Sequence, residues 1–181
     1  AIYYNCILGN NVIIQANSTI GSVGCGYSFI DGAHRLIGHN GGVIVEDFVE
    51  IGANSCVDRA KFDNTVVGAG SKIDILVQVG HHGIIGNCCR VVALTGIGGS
   101  CRIGDGVGIA GQVGLAYHIS ICDGAVVGSK ACVMNDIDGD MLKLLVEYGN
   151  EFSKRFKGLT PEMVEKFQEF MQYQLFQQAK K

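Results

Sequence analysis

The chain has 181 residues, among them 27 glycines and a single proline, and 48% of its residues are hydrophobic. This composition excludes a disordered low-complexity chain, which would be poor in apolar residues, and a collagen, which needs abundant proline. The formal net charge of −3 disfavours non-specific nucleic-acid binding, and no apolar run is long enough to span a membrane. An ordered chain with so much glycine suggests a structural repeat.

Aliphatic residues recur at every sixth position through the middle of the chain. The twelve positions in this phase are Val67, Ile73, Val79, Ile85, Val91, Ile97, Ile103, Ile109, Leu115, Ile121, Val127 and Val133. Shorter blocks with the same spacing occur at Leu8, Ile14 and Ile20, and at Val45, Ile51 and Val57.

A six-residue period is the signature of a parallel β-helix, in which three hexads form one triangular coil and the aliphatic residue points inward. The spacing predicts an all-β domain over residues 1–135. The small residue that follows most aliphatic positions, such as Gly80 or Gly98, is expected to let the chain turn tightly at each corner.

Helical spacing replaces the hexads after Val133. Apolar residues then recur three and four positions apart, and Thr160 and Pro161 are typical of a helix N-terminus. The sequence predicts that residues 136–181 form an α-helical hairpin that caps the β-helix or contacts a partner.

The eight cysteines contain no CxxC pair, which argues against a structural zinc site. A disulfide scaffold is not needed in a chain with this much apolar residue, so free thiols in a reducing cytoplasm are expected. Cys89 and Cys101 each lie two residues before an aliphatic position and are predicted to face the core.

Two interruptions of the repeat, at residues 22–43 and 59–65, are candidate sites for binding groups, because loops on a rigid scaffold commonly carry function. The five histidines are candidates as well. His81 and His118 are 37 residues apart, about two coils, so they are expected on one face about 10 Å apart.

Imidazoles in a groove suit acid–base chemistry in acyl transfer, since an amine must lose a proton when it attacks a thioester. Asp74, seven residues before His81, is a candidate to orient that ring. His118 or a backbone N–H is a candidate to stabilise the oxyanion, and the neighbouring glycines leave room for an extended pantetheine arm.

Metal binding is the alternative chemistry. His82, His118 and Asp123 resemble the ligand spacing of the gamma carbonic anhydrases, a class of β-helix enzymes, but Asp123 stands where that class has a third histidine. His34 and His39 form an HxxxxH pair without an evident third ligand.

Several motifs resemble the UDP-3-O-acylglucosamine N-acyltransferases of lipid A biosynthesis, over residues 5 to 135. They are VEIGANSCVDRA, DNTVVGAGSKID, GQVGLAYHISICDGAVV and the glycine–aromatic loop GCGYSF. No counterpart of the family's N-terminal uridine-binding domain is found in the sequence.

The resemblance implies a left-handed β-helix that forms a homotrimer with active sites between subunits. It also implies transfer of a 3-hydroxyacyl group from acyl carrier protein to the 2-amine of a UDP-linked 3-O-acylglucosamine. His81 falls on the family's general base, Asp74 on its partner carboxylate and His118 on the second active-site histidine. Substrate binding is expected at Tyr27, Gly99, Gln112 and Gly114.

No cofactor or metal is implied, because the 4′-phosphopantetheine belongs to the carrier substrate. Arg90, Arg102 and Lys130 are candidates to face the acidic carrier protein, and the protein is expected in the cytoplasm. A related enzyme that transfers acetyl groups from acetyl-CoA to a sugar amine is a second possibility.

The sequence departs from the family pattern close to the predicted site. His82 replaces the asparagine that usually follows the base, and Tyr117 replaces a glycine before the second histidine. Ile75, Cys25 and Ala60 are further departures.

Overall fold

Short parallel strands wind into a three-sided β-helix in the computed structural model, which describes residues 1–139. Three parallel sheets of six strands form its sides. The predicted helical hairpin lies outside the described residues. Ile137 still pairs with Ile121, so the coil continues two residues beyond the predicted boundary at 135.

The strands follow one another around the three sides. Sheet 1 contains β1 (Cys6–Leu8), β6 (Gly42–Val45), β9 (Asn64–Val67), β12 (Ile84–Ile85), β15 (Arg102–Ile103) and β18 (Ser120–Ile121). Sheet 2 contains β2 (Ile13–Ile14), β7 (Glu50–Ile51), β10 (Lys72–Ile73), β13 (Arg90–Val91), β16 (Gly108–Ile109) and β19 (Val126–Val127). Sheet 3 contains β3 (Thr19–Val23), β8 (Cys56–Arg59), β11 (Gln78–Val79), β14 (Gly96–Ile97), β17 (Gly114–Leu115) and β20 (Cys132–Val133).

Three rows of corners join the sheets. Corner 1 leads from sheet 1 to sheet 2, corner 2 from sheet 2 to sheet 3, and corner 3 from sheet 3 to the next strand of sheet 1. From residue 64 onward each strand pairs with the strand 18 residues later, as in the pairs Val79↔Ile97 and Ile97↔Leu115. One coil is therefore three hexads, as predicted.

The aliphatic repeat forms the core. All twelve positions from Val67 to Val133 are buried, and the earlier Ile20, Val45, Ile51 and Val57 are completely so. Leu8 remains 39% exposed and Ile14 is only partly buried, because they stand at the first coil. The hydrophobic stack is thus continuous from the second coil onward, as the six-residue phase requires.

Buried polar groups at one inward position of the coil are satisfied by carbonyls of the following coil. The Ser71 hydroxyl donates to the Gly86 carbonyl at 2.8 Å, and the Cys89 thiol approaches the Gly104 carbonyl at 3.0 Å. Cys101 makes the same contact with Ala116, so the predicted core position of both thiols is confirmed. All eight cysteines lie within residues 1–139, and all are free thiols there.

The small residues of the hexads are needed for a different reason from the one predicted. A Cβ at Gly68 would lie 2.6 Å from backbone atoms of Gly86, and one at Gly98 would lie 2.8 Å from those of Ala116. Close stacking of coils therefore requires glycine there. The left-handed turn positions are mostly occupied by other residues, among them Leu76 (φ 56°) and Leu94 (φ 63°).

Both interruptions of the repeat fall at corner 3, in successive coils. The first contains an antiparallel hairpin of β4 (Tyr27–Ile30) and β5 (Ala33–Leu36). The second is a short insertion: Cys56 pairs with Gln78, 22 residues later instead of 18, and the extra residues lie after β8. Among residues 1–139 no helix is long and apolar enough to cross a membrane.

Candidate active site at the third corner

His81 lies at corner 3 immediately after β11, and its side chain is buried, with 7% of the residue surface exposed. Residues 81, 99 and 117 occupy equivalent positions in three successive coils. A Cβ on Gly99 would lie 2.7 Å from Cε1 of His81, so the imidazole covers the space that this glycine leaves free. The ring centroid of Tyr117 is 6.2 Å from that of His81.

The first insertion places His39 against His81, with ring centroids 5.4 Å apart in an edge-to-face arrangement. His39 is 3% exposed, and its Nδ1 hydrogen-bonds the Ile37 carbonyl at 2.8 Å. Its Nε2 is buried and has no hydrogen-bond partner. His39 is one of the candidate histidines and lies in the first predicted interruption, but the sequence did not predict its contact with His81. The break in the hexad phase was the available signal that this segment returns to corner 3.

His82 is the direct hydrogen-bonding neighbour of His81. The two Nδ1 atoms are 3.1 Å apart, and Nε2 of His82 accepts the backbone N–H of Phe62 at 3.4 Å. The Phe62 ring lies 5.0 Å from that of His82, and the backbone N–H of His82 donates to Oγ1 of Thr65. The second insertion therefore supplies, through Phe62, the surface against which the His82 ring packs.

Burial lowers the pKa of His81 below the ordinary imidazole value, and the nearby positive charge of Lys61 acts in the same direction. His82 and His39 add smaller effects of the same sign, and the backbone of Cys25 opposes them. The pKa of His82 is also lowered, again mainly by burial. His81 is therefore neutral at neutral pH. Asp74, the predicted partner of His81, does not face this ring within one chain.

Asp58, which the sequence analysis did not single out, is a buried carboxyl group at the start of the same corner. Ser22 donates to its Oδ1 at 3.1 Å, and the Gln78 side-chain amide donates to its Oδ2 at 2.7 Å. Burial raises the pKa of Asp58, while these two hydrogen bonds and the charge of His39 lower it. Strand alternation places Asp58 on the face opposite the core residue Val57, so nothing in the sequence pattern indicates that this carboxyl group is buried.

Asp74 lies at corner 2, directly after β10, and strand β11 of sheet 3 separates it from His81. Its Oδ1 accepts the backbone N–H of Ile75 at 2.8 Å and its Oδ2 accepts that of Ala93 at 3.1 Å. The exposed side chains of Ile75, Leu76, Val92 and Leu94 surround it. A single chain therefore does not bring the predicted base and its predicted carboxylate together.

The other predicted residues divide between the same two corners. His118 is exposed at corner 3, and its backbone N–H donates to the Gly99 carbonyl at 3.0 Å. It stacks in the column of His82, two coils later. Gln112 lies at corner 2, where its N–H donates to the Ala93 carbonyl. Tyr27 is exposed on the hairpin, 6.5 Å from the ring of His34.

Sheet 3 connects the two corners and carries a strip without side chains. Gly96 and Gly114 pair with each other, and a Cβ at either position would meet no atom within 4 Å. Gln78 and Cys132 occupy the equivalent positions at the two ends of this strip. The strip forms a bare path along the outer face of the β-helix next to the His81 corner.

The metal alternative finds no assembled site in the described part of the chain. Among residues 1–139 no group of three or more His, Cys, Asp and Glu side chains is arranged to hold a metal ion. Asp123 lies at corner 1, where its Oδ1 accepts the backbone N–H of Asp105, whereas His82 and His118 lie at corner 3. His34 packs against the Phe29 ring at 5.3 Å, away from the contacts of His39.

The candidate carrier-facing cations lie on different faces. Arg90 is in sheet 2, Arg102 is in sheet 1 and Lys130 is at corner 2, all exposed. They do not form one basic patch in the described part of the chain.

Hexads wound into three parallel sheets define the class of left-handed hexapeptide β-helix proteins, and this chain has that fold. Two solved structures share the fold: the UDP-N-acetylglucosamine acyltransferases from Bacteroides fragilis and Francisella novicida. Their TM-scores are 0.66 and 0.59, with sequence identities of 19% and 17%. The alignments cover 96% and 97% of this chain, and 78% and 79% of those chains.

Curated relatives give the family. The UDP-3-O-acylglucosamine N-acyltransferase of Wolinella succinogenes is 42% identical over 138 residues, which cover 76% of this chain and 43% of that protein. The enzyme of the same name from Campylobacter lari is 46% identical over 121 residues, 66% of this chain and 38% of that protein. No protein-family model matches the sequence. Over the matched residues the chain belongs to the UDP-3-O-acylglucosamine N-acyltransferase family, and it spans about two fifths of the length of these relatives.

Proposed function

We propose that the protein transfers an acyl group from the thioester of an acyl carrier protein to the 2-amine of a UDP-linked 3-O-acylglucosamine. The observation that carries this proposal is the packed imidazole of His81, which lies beside the bare glycine strip of sheet 3 in a chain of this family. The strip has room for an extended pantetheine arm. Corner 3 places the neutral imidazole of His81 at the edge of this strip.

The proposed reaction needs one nucleophile and one proton transfer residue. The amine nitrogen attacks the thioester carbonyl carbon, the C–S bond breaks, and the pantetheine thiolate leaves. His81 takes the proton that the amine loses and returns one to the leaving sulfur. His118 and backbone N–H groups of corner 3 are the candidate donors to the oxyanion.

The proposed assembly is a homotrimer whose active sites lie between subunits. The exposed aliphatic side chains of Ile75, Leu76, Val92 and Leu94 favour a subunit contact at corner 2. Such a contact would bring Asp74 of one subunit to the His81 corner of another, which a single chain cannot do. The acyl carrier protein and the cytoplasmic location remain part of this proposal.

A transfer assay tests the proposed activity. We expect product with 3-hydroxyacyl carrier protein and UDP-3-O-acylglucosamine, and a turnover lowered roughly 10²- to 10⁴-fold in His81→Ala, as expected for loss of a proton-transfer residue. Size-exclusion chromatography with light scattering checks that the variant keeps the assembly. Near-normal turnover in His81→Ala would refute the role assigned to His81. Activity with acetyl-CoA alone would favour the alternative function, transfer of an acetyl group from acetyl-CoA to a sugar amine.

A further inference from the structure

The hydrogen bond from the Phe62 backbone gives the contact between His82 and His81 a direction. A backbone N–H can only donate, so Nε2 of His82 must accept from Phe62 and carries no proton. A neutral His82 then carries its proton on Nδ1. Since Nδ1 of His82 is 3.1 Å from Nδ1 of His81, the proton between them belongs to His82, and Nδ1 of His81 is the acceptor.

The same reasoning sets the state of His81. With Nδ1 occupied as an acceptor, a neutral His81 carries its proton on Nε2. His82 itself is left in the Nδ1–H form, which free imidazole side chains favour less.

We propose that His82 is a positioning residue that holds His81 in its Nε2–H form, and that the backbone N–H of Phe62 sets this state through His82. In this form Nε2 of His81 carries a proton, so His81 accepts the proton of the amine only after the tautomers of the pair exchange. Only the functional consequence depends on the acyltransfer proposed above.

Proton acceptance by His81 requires the pair to reverse. The hydrogen on Nδ1 of His82 passes to Nδ1 of His81, the proton on Nε2 of His81 is released, and Nε2 of His82 takes up a proton from solvent. The last step breaks the hydrogen bond from Phe62. The pair carries two ring protons before and after this exchange. The two neutral forms therefore differ in the hydrogen bond from Phe62 and in whether Nε2 of His81 presents a proton to the substrate.

Titratable groups on every neighbouring element act on this pair. From the insertions, the charges of Lys61 and His39 act on both rings, and that of Asp63 acts on His82. Cys25 and Asp58 act on Tyr117, whose ring centroid is 6.2 Å from that of His81. The pH dependence of the pair therefore belongs to the cluster as a whole, whereas the direction of the hydrogen bond is fixed by Phe62.

Nuclear magnetic resonance of the full chain, labelled with ¹⁵N at histidine only, tests the direction without any activity. We expect a coupling through the hydrogen bond between Nδ1 of His82 and Nδ1 of His81, with the attached proton on His82. A proton on Nδ1 of His81, or the absence of this coupling in the folded protein, would overturn the proposal.

Two substitutions test the consequence. An asparagine amide nitrogen takes nearly the place of imidazole Nδ1, and the rotated amide presents its Oδ1 there instead. His82→Asn can therefore both donate to and accept from Nδ1 of His81, and it should retain kcat/KM within about threefold. His82→Leu removes the donor, and Leu76 and Leu94 show that the fold accepts leucine at this left-handed turn position. We expect a loss of roughly 10- to 100-fold in kcat, the range seen when partners that orient a metal-binding imidazole are removed.

The control is His34→Asn on the exposed hairpin, which should change neither the coupling nor the rate. If His82→Leu retained the wild-type kcat and pH profile, His82 would have no positioning role. If no variant, wild type included, transferred an acyl group, the proposed function would fail while the coupling still decided the direction of the hydrogen bond.

Discussion

His81 shows how a single side chain acquires its properties from the coil above it. Its ring lies in the space that Gly99 leaves free, and this burial holds its pKa below the ordinary value. A histidine on a flat strand surface would have neither the buried ring nor the lowered pKa. Burial therefore distinguishes the two histidines that lie two coils apart: His81 is buried, whereas His118 remains exposed.

The lowered pKa of His81 predicts the pH dependence of both activity and stability. The limb of the pH–rate profile that reports the neutral imidazole should lie on the acid side of the ordinary value of about 6.5. Because the folded-state pKa of His81 is lower than the unfolded one, the unfolded chain binds more protons between these two pKa values, the upper of which is about 6.5. Stability therefore falls as the pH decreases through that window.

Rate measurements across pH and urea unfolding at several pH values check this expectation. His81→Gln should flatten the decline in stability, since it removes one group that must be charged in the unfolded state. A rate limb on the alkaline side of 6.5 would contradict the direction.

Gly99 is predicted to be essential for the position of His81. In Gly99→Ala the new Cβ would lie 2.7 Å from Cε1 of His81, so the imidazole must move. We expect kcat to fall by about 10²-fold, because a displacement near 1 Å in a catalytic group has effects of that size. Gly108→Ala is the matched control, since its Cβ would meet its nearest atom at 3.9 Å. Equal rates in both variants would show that the ring tolerates displacement.

At the scale of elements, the two insertions at corner 3 build the site. The first delivers His39 and Cys25 to His81, and the second delivers Lys61 and Phe62 to the His81–His82 pair. The two insertions lie in adjacent coils, and the next coil carries His81 and His82 at the same corner. Breaks in the repeat are thus the elements that convert a regular scaffold into an enclosed corner.

Sheet 3 provides the approach to that corner, and its glycine strip should tolerate a side chain structurally but not functionally. Gly114→Val adds a group that meets no protein atom at its Cβ, so the melting temperature should change little. The same side chain would occupy the proposed path of the pantetheine arm, so KM for the acyl carrier substrate should rise roughly tenfold or more.

Steady-state kinetics with varied acyl carrier protein measures this effect, with Gly108→Val on sheet 2 as the control outside the strip. An unchanged KM in Gly114→Val would place the pantetheine path elsewhere. A large fall in melting temperature in that variant would instead show that the strip is covered by protein in the assembled molecule.

At the scale of the whole molecule, the β-helix separates Asp74 and His81 by one side of the prism. Asp74 uses both carboxylate oxygens on backbone N–H groups at corner 2, and an exposed aliphatic surface surrounds it. If Asp74 acts on His81, a second subunit has to bring that corner to it. The proposed trimer would supply this contact.

Mixed assemblies test this arrangement. Asp74→Ala and His81→Ala should each be nearly inactive alone, but trimers reassembled from an equal mixture should regain activity. About a quarter of the interfaces, one half times one half, would join an intact His81 to an intact Asp74. Activity after mixing and refolding, compared with each variant treated alike, gives the measurement. No regain in mixed trimers of confirmed composition would show that the two residues do not act across subunits.

The sequence by itself determined the architecture of residues 1–135, because the six-residue phase leaves only one way to stack aliphatic residues into a continuous core. It also identified His81, Gly99 and the two interruptions as the places to examine. The C-terminal helices and the roles of the site residues remain predictions.

Only the tertiary structure decided which groups surround His81. Coiling brings residues 18 or more positions apart into contact, and the insertions change that offset at corner 3, so neither His39 nor the Phe62–His82–His81 hydrogen bonds follow from spacing. It also showed that the glycines are required by the close approach of successive coils, whereas the left-handed turns accept leucine and histidine. The six-residue period determines the path of the backbone, whereas contacts between coils determine which groups surround His81.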